Sequence, residues 1–120
     1  MTDKQITGKA GERIAADYLR SNGFNILHVN WQQGQKELDI VAEKNNRLHV
    51  VEVRSLTSNY FMEPYQSLNK AKQRHLIAAT NAYIQRYHLT MEAQIDVISI
   101  VFNNGEPTLE YLPNVIYPGI

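Results

Sequence analysis

Apolar and polar positions recur along this chain in two rhythms. From Thr7 to Ser21, Ala10, Ile14 and Tyr18 return every four residues beside Ala15 and Leu19, the spacing of an amphipathic helix. Thr7 offers an N-cap and Asn22-Gly23 a stop. Phe24–Asn30 reads as a short strand, and Gln32-Gln33-Gly34-Gln35 as a turn. Two more strand patterns, Lys36–Glu43 and Arg47–Arg54, flank Asn45-Asn46. Asn tolerates positive φ, so a two-residue hairpin turn is expected there. Residues 55–67 are irregular, with Pro64 as a breaker. Leu68, Lys72, Leu76, Ala79, Tyr83 and Tyr87 form a stripe that predicts a long helix over Leu68–His88. Ala93–Phe102 is rich in β-branched residues and reads as a strand, Asn103-Asn104-Gly105 as a turn, and Thr108–Leu112 as a last strand. The order α-β-β-β-α-β-β, with a helix between two strands, predicts an α/β fold: a mixed central β-sheet flanked by helices.

With 120 residues and no repeat or Pro/Gly-rich linker, the chain is expected to be one domain, 1–120. Twelve Lys and Arg balance twelve Asp and Glu, which excludes a polybasic nucleic-acid coat but not a local basic patch. The absence of cysteine removes thiol catalysis, iron–sulfur clusters, disulfides and Cys-ligated zinc. No apolar run approaches the ~18 residues that cross a bilayer. The polar opening Met1-Thr2-Asp3-Lys4-Gln5 lacks the apolar core of a signal peptide, so a cytoplasmic location is expected.

Carboxylates occupy positions where the pattern asks for apolar side chains. On a helix Glu12 shares a face with Ala15, Ala16 and Leu19. It reads either as a first-turn acid favoured by the helix dipole or as a functional group at the packed face. The hairpin is sharper. If Asn45-Asn46 form the turn, Lys44 faces Arg47, Asp39 faces Glu52, and Glu37 faces Arg54. Alternation then projects Glu37, Asp39, Val41, Val50, Glu52 and Arg54 from one side. Like charges directly opposed destabilise a sheet, the more so at low dielectric. Glu52 stands in the nearly continuous apolar run Leu48-His49-Val50-Val51-Glu52-Val53, which argues against a solvated position. Three compensations are open: a divalent cation, with Mg²⁺ or Mn²⁺ suited to oxygen ligands; a raised pKa on one acid; or salt bridges from Arg54 and a helix lysine.

The second helix is locally cationic. From Pro64 to Met91 there is no acidic residue, while Lys70, Lys72, Arg74 and Arg86 are basic, a composition suited to phosphate contact or to a solvated helix face. The aromatic segment Tyr60-Phe61-Met62-Glu63-Pro64-Tyr65 could stack on bases or cap the core. His28, His49, His75 and His88 lack zinc-ligand spacing, and no nucleophile elbow, P-loop or dinucleotide fingerprint occurs. Asp96 opens an apolar run and reads as structural before functional.

Taken together, Gly8-Lys9-Ala10-Gly11-Glu12, Glu37-Leu38-Asp39-Ile40-Val41, Val51-Glu52-Val53-Arg54, the helix near Lys70 and Asp96-Val97-Ile98 resemble the YraN-type family of small bacterial proteins. That family is similar to archaeal Holliday-junction resolvases and to the PD-(D/E)XK, restriction-endonuclease-like fold. The resemblance implies a site for Mg²⁺ or Mn²⁺ built from Glu12, Asp39 and Glu52, and a metal-dependent nuclease acting on DNA, branched or flapped structures included. It also implies a homodimer, because resolvase relatives act on two-fold junctions. Lys70, Lys72 and Arg74 would then meet flanking phosphates. The signature lysine two residues after the Glu corresponds to Arg54, and the usual following Arg and preceding Gly are Leu56 and Lys36. Arg54 can neutralise phosphate charge but stays protonated and cannot act as a general base. The alternative reading is therefore a non-catalytic nucleic-acid-binding or protein-interaction domain with a nuclease-like fold.

Overall fold

The hairpin turn at Asn45-Asn46 sets the centre of the sheet. A computed structural model describes residues 3–57, 68–103 and 105–116. Both Asn45 and Asn46 take left-handed backbone angles, φ 54° and 62°. Such a turn matches the twist of the strands it joins. The elements are α1 (Asp3–Ser21), β1 (Asn25–Gln33), β2 (Lys36–Lys44), β3 (Arg47–Thr57), α2 (Lys70–Arg86), β4 (Glu92–Phe102) and β5 (Thr108–Ile116). This is the expected α-β-β-β-α-β-β order in a mixed α/β domain. The five strands lie in the order β1-β2-β3-β4-β5. Neighbours are antiparallel except β3 and β4, which run parallel and are connected through α2.

Each helix closes one face. Ala15, Ala16 and Leu19 of α1 pack with Phe24, Ile40, Val51 and Ile98. Leu76, Ala79 and Tyr83 of α2 pack with Val41, Leu48, Val50 and Val97 on the other side. The α2 core matches the stripe read from the sequence, although Tyr87, just past the helix, is exposed. Asn69 caps α2, its side chain accepting the Lys72 N–H at 2.8 Å, so this helix starts at Lys70 rather than Leu68. Gly23, at φ 87°, ends α1: its own N–H reaches the Arg20 carbonyl, and the Phe24 N–H reaches that of Leu19.

Several expected boundaries move. Helix α1 begins at Asp3, which puts Thr7 inside it instead of at its cap. Strand β1 continues through Trp31 to Gln33, because Trp31 pairs with Leu38 and buries its ring against Tyr83. Strand β5 runs past Pro113 to Ile116, which reaches the α2-side core. The aromatic segment at 60–65 lies outside the described residues, as does Asn104 of the expected turn.

Helix α1 lies close to β3 at one point. Gly11 is buried, and a Cβ there would collide with the Ser55 hydroxyl. Gly11→Ala is expected to push α1 off β3 and to destabilise the protein by on the order of 1–3 kcal/mol, the usual effect of overpacking. Urea denaturation measures it, and unchanged stability would show that the helix has room to shift.

Candidate functional site

The β2–β3 register is the expected one where the two strands pair: Lys44 faces Arg47, Ala42 faces His49, Val41 faces Val50 and Ile40 faces Val51. Pairing stops there. Leu38 and Val41, three residues apart, both enter the α2-side core, so strict alternation is interrupted at Asp39. The cause stands on β1. Asn30, between the pairs Val29–Ile40 and Trp31–Leu38, has φ 55° and breaks that strand's alternation opposite Asp39. Asp39 and Glu52 are thus not a ladder pair, and Glu37 does not face Arg54. Glu37 is exposed and accepts a hydrogen bond from Gln32.

The interruption brings the two acids together by another route. The Asp39 carboxylate accepts the Val53 N–H at 2.9 Å, a donor that a continued ladder would give to the β2 main chain. From there Asp39 stands close enough to raise the pKa of Glu52, whose side chain is buried at 5% exposure. Burial and then the charge of Asp39 push the Glu52 carboxyl up to about 7, with Lys72 opposing. Lys72 Nζ stands 3.3 Å from Glu52 Oε2, and Arg54 Nη1 stands 3.6 Å from the same oxygen. Both protein-borne compensations left open by the sequence, a raised pKa and cations from Arg54 and a helix lysine, are therefore in place.

Glu12 approaches from α1, the helix on the other face. It is half-buried, and burial raises its pKa, Asn30 lowers it through a side-chain hydrogen bond, and Asp39 and Glu37 raise it again. Asp39, at the break between β2 and β3, is the residue through which both faces communicate. Among the described residues no group of three or more His, Asp or Glu side chains stands close enough to hold a metal ion together. The close pair is Asp39 with Glu52; Glu12 is its electrostatic neighbour.

The cations of α2 divide. Lys72 turns to Glu52, whereas Lys70 and Arg74 are exposed and make no ion pair among the described residues. Both Lys70 and Lys72 sit in the first turn of α2, which carries no acid, although cations at this end oppose the helix dipole. For Lys72 the buried Glu52 carboxylate offsets that. Sequence reasoning missed Asn30, whose signal was only an Asn late in a β pattern, and it did not say which helix lysine would reach Glu52.

The acid pair has a thermodynamic signature. Below pH ~4.5 Glu52 is protonated folded and unfolded; between there and its folded value of about 7 only the folded chain keeps the proton. Stability of the metal-free protein therefore falls as pH rises through this window. Glu52→Gln removes the effect, so its advantage over wild type is expected to grow by on the order of 1–3 kcal/mol between pH 4.5 and pH 8. Denaturant titrations in EDTA at both pH values test this, and a pH-independent difference would contradict it.

Comparison with known proteins gives a consistent relationship. The chain is 38% identical over 120 residues to a UPF0102 protein of Phocaeicola vulgatus, covering 100% of this chain and 99% of the relative. It is 33% identical over 118 residues to a UPF0102 protein of Bacteroides thetaiotaomicron, covering 98% of each. A UPF0102 protein of Porphyromonas gingivalis is 36% identical over 103 residues, 86% of this chain and 76% of the relative. Residues 11–100, which carry Glu12, Asp39, Glu52, Arg54 and the whole of α2, match the family described as uncharacterised protein family UPF0102, and the chain belongs to that family.

Proposed function

We propose that Asp39 and Glu52 form the seat of a Mg²⁺- or Mn²⁺-dependent nuclease acting on DNA, with a restriction-endonuclease-like arrangement. The observation that carries this reading is the proximity of the two acids, with Glu52 buried and its carboxyl raised by the charge of Asp39. Two carboxylates fit the donor set, since Mg²⁺ is commonly held by one or two of them together with water and substrate phosphates. When bound, the ion would supply Lewis acidity toward a phosphoryl oxygen and activation of the attacking water.

The chain's own residues supply the rest. Glu12 adds negative potential behind Asp39 and favours a cation there. Arg54 and Lys72 neutralise Glu52 in the metal-free protein. With a divalent ion bound to Glu52, Lys72 would be available to a phosphate as a point charge, and the planar fork of Arg54 beside it suits phosphate geometry. Lys70 and Arg74 are exposed one helical turn apart and can meet neighbouring phosphates. Lys70 also explains itself better as a ligand contact than as a helix component, because its place in the first turn is locally unfavourable.

The deciding experiment incubates the purified protein and Mg²⁺ or Mn²⁺ with junction, flapped, duplex and single-stranded DNA. Cleavage is expected, lost by at least about 10²-fold in Asp39→Asn and Glu52→Gln, with the fold retained. If all four substrates remain intact, the enzymatic reading fails. Salt-dependent binding without product would then support the non-catalytic nucleic-acid-binding reading, which the capping of Glu52 by Lys72 and Arg54 favours. A further variant separates stability from binding. Lys70→Glu is expected to stabilise the protein by about 0.3–1 kcal/mol while weakening DNA binding and flattening its salt dependence. Thermal denaturation and salt-titrated binding read the two effects, and a loss of both would make Lys70 a structural residue.

A further inference from the structure

A second polar cluster lies on the α1 face of the sheet, opposite the face that Lys72 and Glu52 share. Its centre is Asp96, wholly buried at 0% exposure and unused by the carboxylate site. Four groups bond to it: His49 Nδ1, Tyr111 Oη and Gln94 Nε2, each at 2.7 Å, and the Asn114 N–H at 2.8 Å. Burial would push the Asp96 carboxyl up, and these four hydrogen bonds overcome it and hold the group below the usual carboxylate range. An ionised carboxylate only accepts, so His49 Nδ1 carries the proton and donates it. The imidazole is thereby fixed, with Nε2 left as its open position.

His49 lines a cavity of about 390 Å³, within the ~300–1,000 Å³ range of small-molecule sites. Two cations, Lys44 and Arg47, flank its edge on either side of the hairpin turn, and no carboxylate lines it among the described residues. Lys44 is oriented, its Nζ donating to the Asn22 carbonyl at 2.7 Å and lying 4.8 Å from the centre of the Phe24 ring. Arg47 is held at 3.0 Å by the exposed Glu92, a partner that an incoming anion can displace. Aromatic wall is supplied by Phe24, which meets His49 edge-on at 4.9 Å, and by Tyr18 and Tyr111. The side-chain amide of Gln94 also reaches the cavity; its nitrogen is committed to Asp96, which leaves its oxygen as an acceptor.

Cations at the mouth select an anion, while rings and a fixed amide and imidazole select a flat heterocycle with donors and acceptors on its edge. We propose that this cavity binds a nucleotide, with its phosphate between Lys44 and Arg47, its base against the aromatic wall, and His49 as the polar anchor held by Asp96. The nucleotide can be a free monophosphate or the terminal residue of a strand, since both present the same chemistry. The proposal stands apart from the carboxylate site and needs no metal.

The test is an NMR titration of the ¹⁵N-labelled full chain in EDTA. The probes are nucleoside 5′-monophosphates, trinucleotides bearing a 5′-phosphate, nucleosides and inorganic phosphate. Saturable shifts are expected at the amides of residues 44–49 and at the Gln94 side chain. Nucleoside or phosphate alone should bind about tenfold or more weakly, as expected when one half of the contact is missing. Lys44→Glu and Arg47→Glu, both at the cavity's edge, should each weaken binding about five- to tenfold with an otherwise unchanged spectrum. Binding of the monophosphates marks a free-nucleotide site, and binding of the trinucleotides alone marks a strand-end site; either supports the proposal. It is overturned if the cavity residues do not shift at about 10 mM ligand, if shifts are confined to residues 70–74, or if neither charge reversal weakens binding.

Discussion

The contact on which the rest of the molecule turns is the close approach of two acids, Asp39 and Glu52, one of them buried. Such a pair is unfavourable unless a proton or cations stand beside it, and this fold brings both. The raised Glu52 supplies the proton; Lys72 from α2 and Arg54 from β3 supply positive charge. The helix on one face contributes a lysine and the helix on the other contributes Glu12. A break in the sheet lets both converge. A chain selected for stability alone would place apolar residues at 39 and 52, so the acid pair comes at a cost in local stability.

The break depends on small local details. Asn30 reverses its backbone, β1 changes which side chains it sends to each core, and Asp39 is left without a ladder partner. Its carboxylate then caps the Val53 N–H, one residue beyond Glu52. Gly11 permits α1 to settle against Ser55 beside this end of β3, which is what brings Glu12 within reach of Asp39. Each step is a departure from regular β geometry.

Much of this could be read from the amino-acid order. The hairpin register followed from Asn45-Asn46 because a two-residue turn leaves one pairing, and the apolar run around Glu52 announced its burial. What could not be read was the interruption at Asp39. Alternation is a property of regular strands, and a single left-handed Asn on a neighbouring strand cancels it without any hydrophobic signal. Which helix lysine would reach Glu52 was hidden for a similar reason. A helical wheel shows which side of α2 faces the core, but whether a lysine on its border bends inward depends on a carboxylate across a non-local contact. The His49–Asp96 contact spans 47 positions in sequence, and two strands had to be set parallel before it could be seen.

That parallel pairing has a consequence for how the chain assembles. Asp39 and Glu52 belong to one hairpin, which closes on the microsecond scale of local structure, whereas Lys72 arrives only when the crossover helix docks and β4 joins β3. During synthesis the two acids therefore leave the ribosome before the lysine that stands beside Glu52. Pairing of Glu52 with its helix lysine is a long-range event, set by docking of the crossover and not by closure of the hairpin.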